Sequence, residues 1–248
     1  MDGTLVDTGG AGRRAFERAL TLWAGRPLAF ETYDPSGRTD LEILLTLAAR
    51  AGRTAPSDSD VAAVFDSYVL LLHQELTRGP DGGVCPGVPK LLASLSADSR
   101  WLVGLLTGNL ARVAEIKMRH YGLQRSFHRL GGTPATTLPG APGADSPGAI
   151  WGAYGDDDAD RRALVPVARR RLREAEGREL AAERVIVIGD TERDIDCARA
   201  AGARVLAVAT GRRSMEQLAA AAPDALLPDL SDLRLTLETL ERLAEPAA

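Results

Sequence analysis

Cysteine is scarce in this sequence of 248 residues, because Cys85 and Cys197 are the only two and lie far apart. A disulfide framework and a cysteine-based zinc site are therefore excluded, and a reducing cytoplasm is the expected location. No run of 18 apolar residues occurs, so no membrane-spanning helix is predicted. The first residues lack a basic stretch followed by an apolar one, so we expect no signal peptide.

An excess of charge of one sign is also lacking. The chain has 30 basic and 34 acidic residues and a net charge of −4, and no strongly basic patch indicates a nucleic-acid partner. Apolar residues make up 45% and charged residues 26%, which are globular proportions that exclude wholesale disorder. The length is typical of one core domain with a sizeable insertion.

The order of the apolar patterns predicts an α/β protein with an open, Rossmann-like parallel sheet. Before residue 100 no convincing strand is predicted, and the pattern is helical over residues 11–22, 39–51 and 58–76. After residue 100, short apolar runs alternate with predicted helices. The runs are residues 101–106, 185–188, 205–208 and 225–227. Residues 133–148 are rich in Thr, Pro, Gly and Ala and predict an exposed loop. Ligands of such sheets bind beyond the carboxyl ends of the strands.

Two aspartates follow the apolar run at 185–188. Asp190 comes at its end and Asp194 lies four residues further on. Two carboxylates at that place can converge on a hard cation such as Mg²⁺, which prefers oxygen ligands. The alternative is that both aspartates only cap the next helix.

A second polar motif, Thr107-Gly108-Asn109, follows the run at 101–106. A hydroxyl and free backbone N–H groups at a strand end can hold a phosphate oxygen. The alternative is an ordinary turn in which the threonine hydroxyl binds its own backbone.

Together with residues 1–8, which read Met-Asp-Gly-Thr-Leu-Val-Asp-Thr, these motifs resemble the haloacid dehalogenase superfamily of hydrolases. Most of its members are phosphatases. The first motif of that superfamily reads Asp-x-Asp-Gly-Thr-Leu, and this chain matches it from the second aspartate, Asp2, onward. The helical insertion after the motif is similar to that of phosphoglycolate phosphatase-like members.

The other motifs of the superfamily match in the same order. Thr107 matches the second motif, and Asp190 with Asp194 matches the fourth. Asp160-Arg161 matches one form of the third motif, and Arg162 is the alternative. The resemblance implies an α/β core, residues 1–9 and 85–248, with a helical cap domain inserted at residues 10–84.

The resemblance implies a phosphoryl transfer in two steps through an aspartyl phosphate. Asp2 would be the general acid and base, and its backbone carbonyl would bind Mg²⁺ beside Asp190 and Asp194. Thr107 would hold a phosphoryl oxygen and Arg161 would offset negative charge. The residues expected to bind substrate are Gly3, Gly108, Asn109 and, from the cap, Arg38.

The nucleophile of the superfamily is the first aspartate of the first motif, which would directly precede Met1. Neither that aspartate nor the strand leading to it is in the 248 residues, so we expect the nucleophile just upstream and the chain as given to be inactive. The alternatives are a catalytically dead relative that binds phosphorylated ligands or a partner, and a non-phosphatase such as a dehalogenase, phosphonate hydrolase or phosphomutase. We expect a small phosphorylated metabolite as substrate, no membrane partner, and a monomer or homodimer.

Overall fold

The computed structural model describes residues 1–28, 30, 32–78, 82–130 and 149–245. The predicted loop at 133–148 lies outside the described residues. The helices are Ala11–Ala24 (α1), Asp40–Arg50 (α2), Asp58–Thr77 (α3), Val88–Ala97 (α4), Ala111–His120 (α5), Leu164–Glu176 (α6), Glu192–Ala200 (α7), Met215–Ala220 (α8) and Leu233–Ala244 (α9). The strands are Val6–Asp7 (β1), Gly83–Val84 (β2), Leu105–Leu106 (β3), Gly152–Ala153 (β4), Ile186–Gly189 (β5), Arg204–Val208 (β6) and Ala225–Leu227 (β7).

Helices α1, α2 and α3 share one apolar core. The helix predictions for this part of the chain are confirmed to within two residues at each end. Helix α1 packs along α3, where the rings of Phe16 and Tyr68 lie 4.7 Å apart. Helix α3 begins with a capping box in which the Ser57 hydroxyl accepts from the Asp60 N–H. We call α1 to α3 the helical lobe. Leu110 and Val113, from the later part of the chain, complete its core.

The expectation of no strand before residue 100 was wrong. Strand β1 pairs antiparallel with β2, with Val6 opposite Val84 and Asp7 opposite Gly83. This two-residue pairing joins the two ends of the helical insertion. It was missed because two residues carry no readable alternation. The division into core and cap at residues 10–84 stays a prediction.

Two separate parallel sheets form the other lobe. Strand β6 lies between β5 and β7, and β3 pairs with β4. Among the described residues no pairing joins β3 to β5. A cavity of about 800 Å³ is lined by both strands, including Leu105 and Ile188, and by Met1. The unpaired edges of the two sheets therefore face one apolar cavity.

The carboxyl ends of β3 and β5 carry the predicted site residues. Thr107 directly follows β3, and its N–H extends the pairing with β4 by donating to the Ala153 carbonyl at 3.1 Å. Asp190 directly follows β5. In the ranges that the structure describes, no helix is both long and apolar enough to cross a membrane.

Candidate active site

The first motif packs directly against Asp190. Gly3 has a φ of +77°, and a Cβ there would lie 2.3 Å from Asp190 Oδ2, so only glycine fits. The Thr4 hydroxyl donates to Asp190 Oδ1 at 2.7 Å. The Thr210 hydroxyl donates to the Gly3 carbonyl at 2.5 Å. These contacts hold the turn of the first motif over the end of β5.

Asp194 forms a buried ion pair with Arg161. A guanidinium nitrogen lies 2.5 Å from Asp194 Oδ1, and both side chains are less than a tenth exposed. The Nε of Arg161 is buried and has no hydrogen-bond partner among the described residues. Arg162, the alternative for this motif, is exposed and pairs with Asp160. The structure thus brings Arg161, and not Arg162, to the fourth motif.

Asp194 also closes the N-terminal cap of α7. The cap residue is Thr191, whose hydroxyl accepts from the Asp194 N–H. The backbone N–H and the hydroxyl of Thr191 donate to Asp194 Oδ2 at 3.0 and 2.7 Å. The helix-capping alternative therefore describes Asp194 in part, whereas Asp190 is not a cap residue.

The pKa values of Asp190 and Asp194 are shifted in opposite directions. Burial and the charge of Asp194 raise the pKa of Asp190 to about 6, although the Met1 amino group, Thr4 and Arg161 act against this. Burial also opposes ionisation of Asp194, but Arg161, the Met1 amino group and Thr191 hold its pKa below the ordinary value. At this edge of the sheet Asp194 is therefore a carboxylate paired with Arg161. Asp190 has no salt-bridge partner among the described residues.

Asp2 binds Lys117, a residue that the motifs did not single out. The Lys117 ammonium lies 2.9 and 2.8 Å from the two Asp2 carboxylate oxygens and 2.7 Å from Asn109 Oδ1. The Lys117 side chain is 2% exposed and that of Asp2 is 39% exposed. Burial opposes ionisation of Asp2, but Lys117 and the Met1 amino group hold its pKa below the ordinary value.

The loop after β3 connects the two lobes. The Thr107 hydroxyl accepts from the Asn109 N–H at 3.1 Å, as in the ordinary-turn alternative, and Thr107 is buried. The Asp40 N–H donates to the Gly108 carbonyl at 2.7 Å, and Asp40 Oδ2 accepts from the Leu110 N–H at 3.0 Å. A Cβ at Gly108 would lie 1.9 Å from the Arg38 carbonyl oxygen. Glycine at this position thus permits the contact between lobes.

The Arg38 guanidinium is engaged within the helical lobe. It lies 5.0 Å from the centre of the Tyr33 ring and pairs with Glu42. Its Nε donates to the Asp34 carbonyl at 3.1 Å. The structure brings the Arg38 backbone, rather than its charge, to the loop after β3, and the substrate role of the side chain stays a prediction.

Comparisons with known proteins agree with the motifs. Residues 161–233 match the HAD-hydrolase-like family model. The phosphoglycolate phosphatase of Synechococcus elongatus is 32% identical over 158 residues, which cover 63% of this chain and 60% of that protein. The chain is matched over less than two thirds of that relative.

Solved structures share the fold at lower identity. A hydrolase from Pseudomonas syringae superposes with a TM-score of 0.65, 19% identity, and coverage of 96% of this chain and 94% of that one. A HAD hydrolase of family IA, variant 3, from Entamoeba histolytica has a TM-score of 0.64, 17% identity, and coverage of 99% and 97%. The chain thus has a haloacid dehalogenase fold, and residues 161–233 are similar in sequence to hydrolases of that kind.

The four sequence motifs lie next to one another in the described residues. Hydrogen bonds lead from Thr107 to Asn109, then to Lys117 and Asp2. The first motif continues through Thr4 to Asp190, beside which Asp194 holds Arg161. Hydrogen bonds thus link the second motif to the first and the first to Asp190 of the fourth. Asp190 feels the charge of Asp194, which is paired with Arg161 of the third motif.

Lys117 is the member of this site that the sequence motifs missed. The signal was present in the pattern of α5. Lys117 falls on the same helical stripe as Val113, Ala114 and Met118, which are all buried. A lysine on a buried stripe is unusual unless its charge is paired. Its partners lie up to 115 residues away, so the sequence does not name them.

Proposed function

We propose that this protein is a Mg²⁺-dependent phosphatase that hydrolyses a small phosphorylated metabolite through an aspartyl-phosphate intermediate. The observation that carries the proposal is the connected network of the motifs at the carboxyl ends of β3 and β5. The name of the Synechococcus relative makes phosphoglycolate the first ester to test. A cytoplasmic location and a monomeric or homodimeric state belong to the same proposal.

The donor set suits a hard cation. Within the described residues no group of three or more His, Cys, Asp or Glu side chains is gathered as a metal site, so the set needs a backbone oxygen. Mg²⁺ would be held by the Asp190 carboxylate and the Asp2 carbonyl. Asp194 would act through water, because both its oxygens accept from Arg161 and Thr191. The bound ion would supply positive charge to the phosphoryl oxygens.

Arg161 and Thr107 suit the phosphoryl group. The Arg161 Nε–H is a buried donor without a partner in the described part of the chain, which costs free energy unless a ligand accepts from it. The Thr107 hydroxyl accepts from the Asn109 N–H and can donate its own proton to a phosphoryl oxygen. Donors placed where charge develops lower the barrier to phosphoryl transfer.

Asp2 would protonate the leaving oxygen and then activate the water that hydrolyses the aspartyl phosphate. In this structure its oxygens are both acceptors for Lys117, so it stands as a carboxylate, ready for the second step. The exposed side of Asp2 leaves access for water.

The attacking carboxylate is proposed to belong to a residue joined to the Met1 amino group. That amino group is close enough to Asp190 and Asp194 for its charge to lower the pKa of both. The apolar cavity between β3 and β5 has the position that a parallel strand leading to this residue would occupy. Splitting one displacement into two is the general advantage of such a nucleophile.

The test compares the 248-residue chain with a form that carries an apolar strand ending in aspartate directly before Met1. We expect Mg²⁺-dependent release of phosphate from phosphoglycolate or another metabolite ester only by the extended form. Changing the added aspartate to asparagine should remove turnover and keep the fold. Binding of phosphorylated ligands without turnover by both forms would favour the dead relative, and release of halide from haloacids would favour a dehalogenase.

A further inference from the structure

The ammonium group of Lys117 is buried, and a buried charge is costly unless it is paired and hydrogen-bonded. Its three donors meet three acceptors, namely both carboxylate oxygens of Asp2 and the side-chain oxygen of Asn109. Two of the three bonds go to one group, so they set the plane of the Asp2 carboxylate as well as its place. Asn109 fixes the ammonium from the other side.

The helical lobe makes room for this ammonium. At Gly12 of α1 an added Cβ would lie 3.1 Å from Lys117 Nζ and 3.5 Å from its Cε. Gly12 is the second residue of α1 and does not have a positive φ, so its backbone conformation does not itself require glycine. The lack of a side chain at Gly12 leaves room for the end of the Lys117 side chain.

A second buried acid of the helical lobe feels the same charge. Asp40 is 3% exposed and lies close enough to Lys117 for the ammonium to oppose the rise of its pKa. Lys117 is therefore the cation shared by Asp2 on one lobe and Asp40 on the other. All three of its hydrogen bonds go to residues outside the helical lobe, which instead covers the ammonium at Gly12.

We propose that Lys117 is a positioning residue that holds the Asp2 carboxylate as the base for the attacking water. This inference rests on the proposed function. In the step concerned, the Asp2 carboxylate takes a proton from water, the water oxygen bonds to phosphorus, and the bond from phosphorus to the nucleophilic aspartate breaks. Lys117 touches neither the water nor the phosphoryl group and acts through Asp2.

The experiment follows product release in the pre-steady state with Lys117→Met in the active form of the protein. If only the second step loses its base, kcat falls roughly a hundredfold and the phosphoenzyme accumulates. A burst of about one p-nitrophenol per enzyme should then precede steady turnover of p-nitrophenyl phosphate. The kcat values for p-nitrophenyl phosphate and for an alkyl phosphate should become equal, because both esters share the same phosphoenzyme.

The matched control is Lys90→Met, the same change at the other lysine, which is exposed on α4. It should leave the kinetics unchanged. Loss of activity in Lys117→Met without a burst, with the two esters still different, overturns the inference. A wild-type protein that forms no phosphoenzyme with any ester overturns the proposed function instead.

Gly12→Ala tests the same placement if Lys117→Met does not fold. A Cβ there would press on the ammonium and shift it relative to Asp2, so a smaller fall in kcat with the same burst is expected. In the 248-residue chain that keeps Lys117, Gly12→Ala should lower the urea concentration at which half of the protein is unfolded. In a folded variant with a shorter side chain at this position, such as Lys117→Ala, Gly12→Ala should raise that concentration. A shift of the same sign in both backgrounds overturns the placement.

Discussion

Asp190 is the side chain on which the metal assignment depends most directly. Its Oδ1 accepts from Thr4, and no salt bridge to it is formed by the residues that the structure describes. We expect Asp190→Asn to abolish Mg²⁺-dependent turnover in an active form, because the amide cannot offer a charged ligand. The change is nearly isosteric, so thermal unfolding should be little affected.

The control for Asp190→Asn is Asp196→Asn, an exposed aspartate on the neighbouring helix. Turnover should be retained in that variant. Phosphate release at the wild-type rate by Asp190→Asn would remove Asp190 from the metal site.

Arg161 gives a second prediction at this scale. Arg161→Ala should lower kcat by a hundredfold or more, on the order of 3 kcal/mol, because the donor to the phosphoryl group is lost. Arg162→Ala should do much less, since that guanidinium is exposed and paired only with Asp160. Rates are to be expressed per folded molecule, because Arg161→Ala also leaves the buried Asp194 unpaired. The reverse ranking would identify Arg162 as the residue of the third motif.

Two buried carboxyls predict how stability depends on pH. Burial raises the pKa of Asp40 to about 7 and that of Asp190 to about 6. The folded chain thus binds these protons more tightly than the unfolded chain. Without metal, its free energy of unfolding should fall as pH rises from about 4 to about 7 and level off above.

Urea unfolding at several pH values checks this slope. Asp40→Asn should flatten the upper part of this slope, because Asp40 has a higher pKa in the folded chain than Asp190. Asp2 and Asp194 have lowered pKa values and contribute in the opposite direction only at pH below about 4. A midpoint that rises across this range would contradict the burial of both carboxyls.

The sequence motifs, together with the family that they resemble, were enough to predict Asp2, Thr107, Arg161 and Asp190 as site residues. They were not enough for Lys117 or for the pairing of Asp194 with Arg161. Those roles depend on contacts between residues 115 and 33 positions apart, and a single sequence does not contain them.

At the scale of elements, the loop after β3 is the contact that seats the helical lobe. We expect Gly108→Ala to separate the two lobes, because its Cβ would lie 1.9 Å from the Arg38 carbonyl oxygen. The Asp40 N–H, which donates to the Gly108 carbonyl, should then exchange with solvent much faster. Hydrogen exchange of that amide is the measurement.

Gly83→Ala is the matched control for this prediction. A Cβ at Gly83 meets nothing within 4 Å, so exchange at Asp40 should be unchanged. Equal protection of the Asp40 amide in Gly108→Ala and wild type would show that the two lobes do not depend on this contact.

The helices of the insertion could be predicted because their apolar residues repeat over three or more turns. The run at 101–106 predicted a longer strand than the observed Leu105–Leu106. Strand length depends on a neighbouring edge with which to pair, and only β4 offers one to β3. Local pattern thus predicts where a strand lies but not how much of it is paired.

For the whole molecule, the two unjoined sheets predict a loosely held core. A strand between β3 and β5 would bury several aliphatic side chains, each contributing roughly 1.5 to 3 kcal/mol, against a total stability of about 5 to 15 kcal/mol for a domain. We expect the 248-residue chain to be poorly soluble or loosely folded beside the extended form. Calorimetry of the two forms is the measurement, and equal unfolding temperatures with equal Mg²⁺-dependent turnover would show that the first motif is misaligned.

The cavity between the sheets also has a consequence for what the chain can bind from solution. Its wall combines aliphatic side chains such as Leu105 and Ile188 with the charged side chains of Arg169 and Arg184. Accessible apolar surface is what dyes such as 8-anilinonaphthalene-1-sulfonate bind. The dye should therefore fluoresce more strongly with the 248-residue chain than with a form whose cavity is filled by a strand.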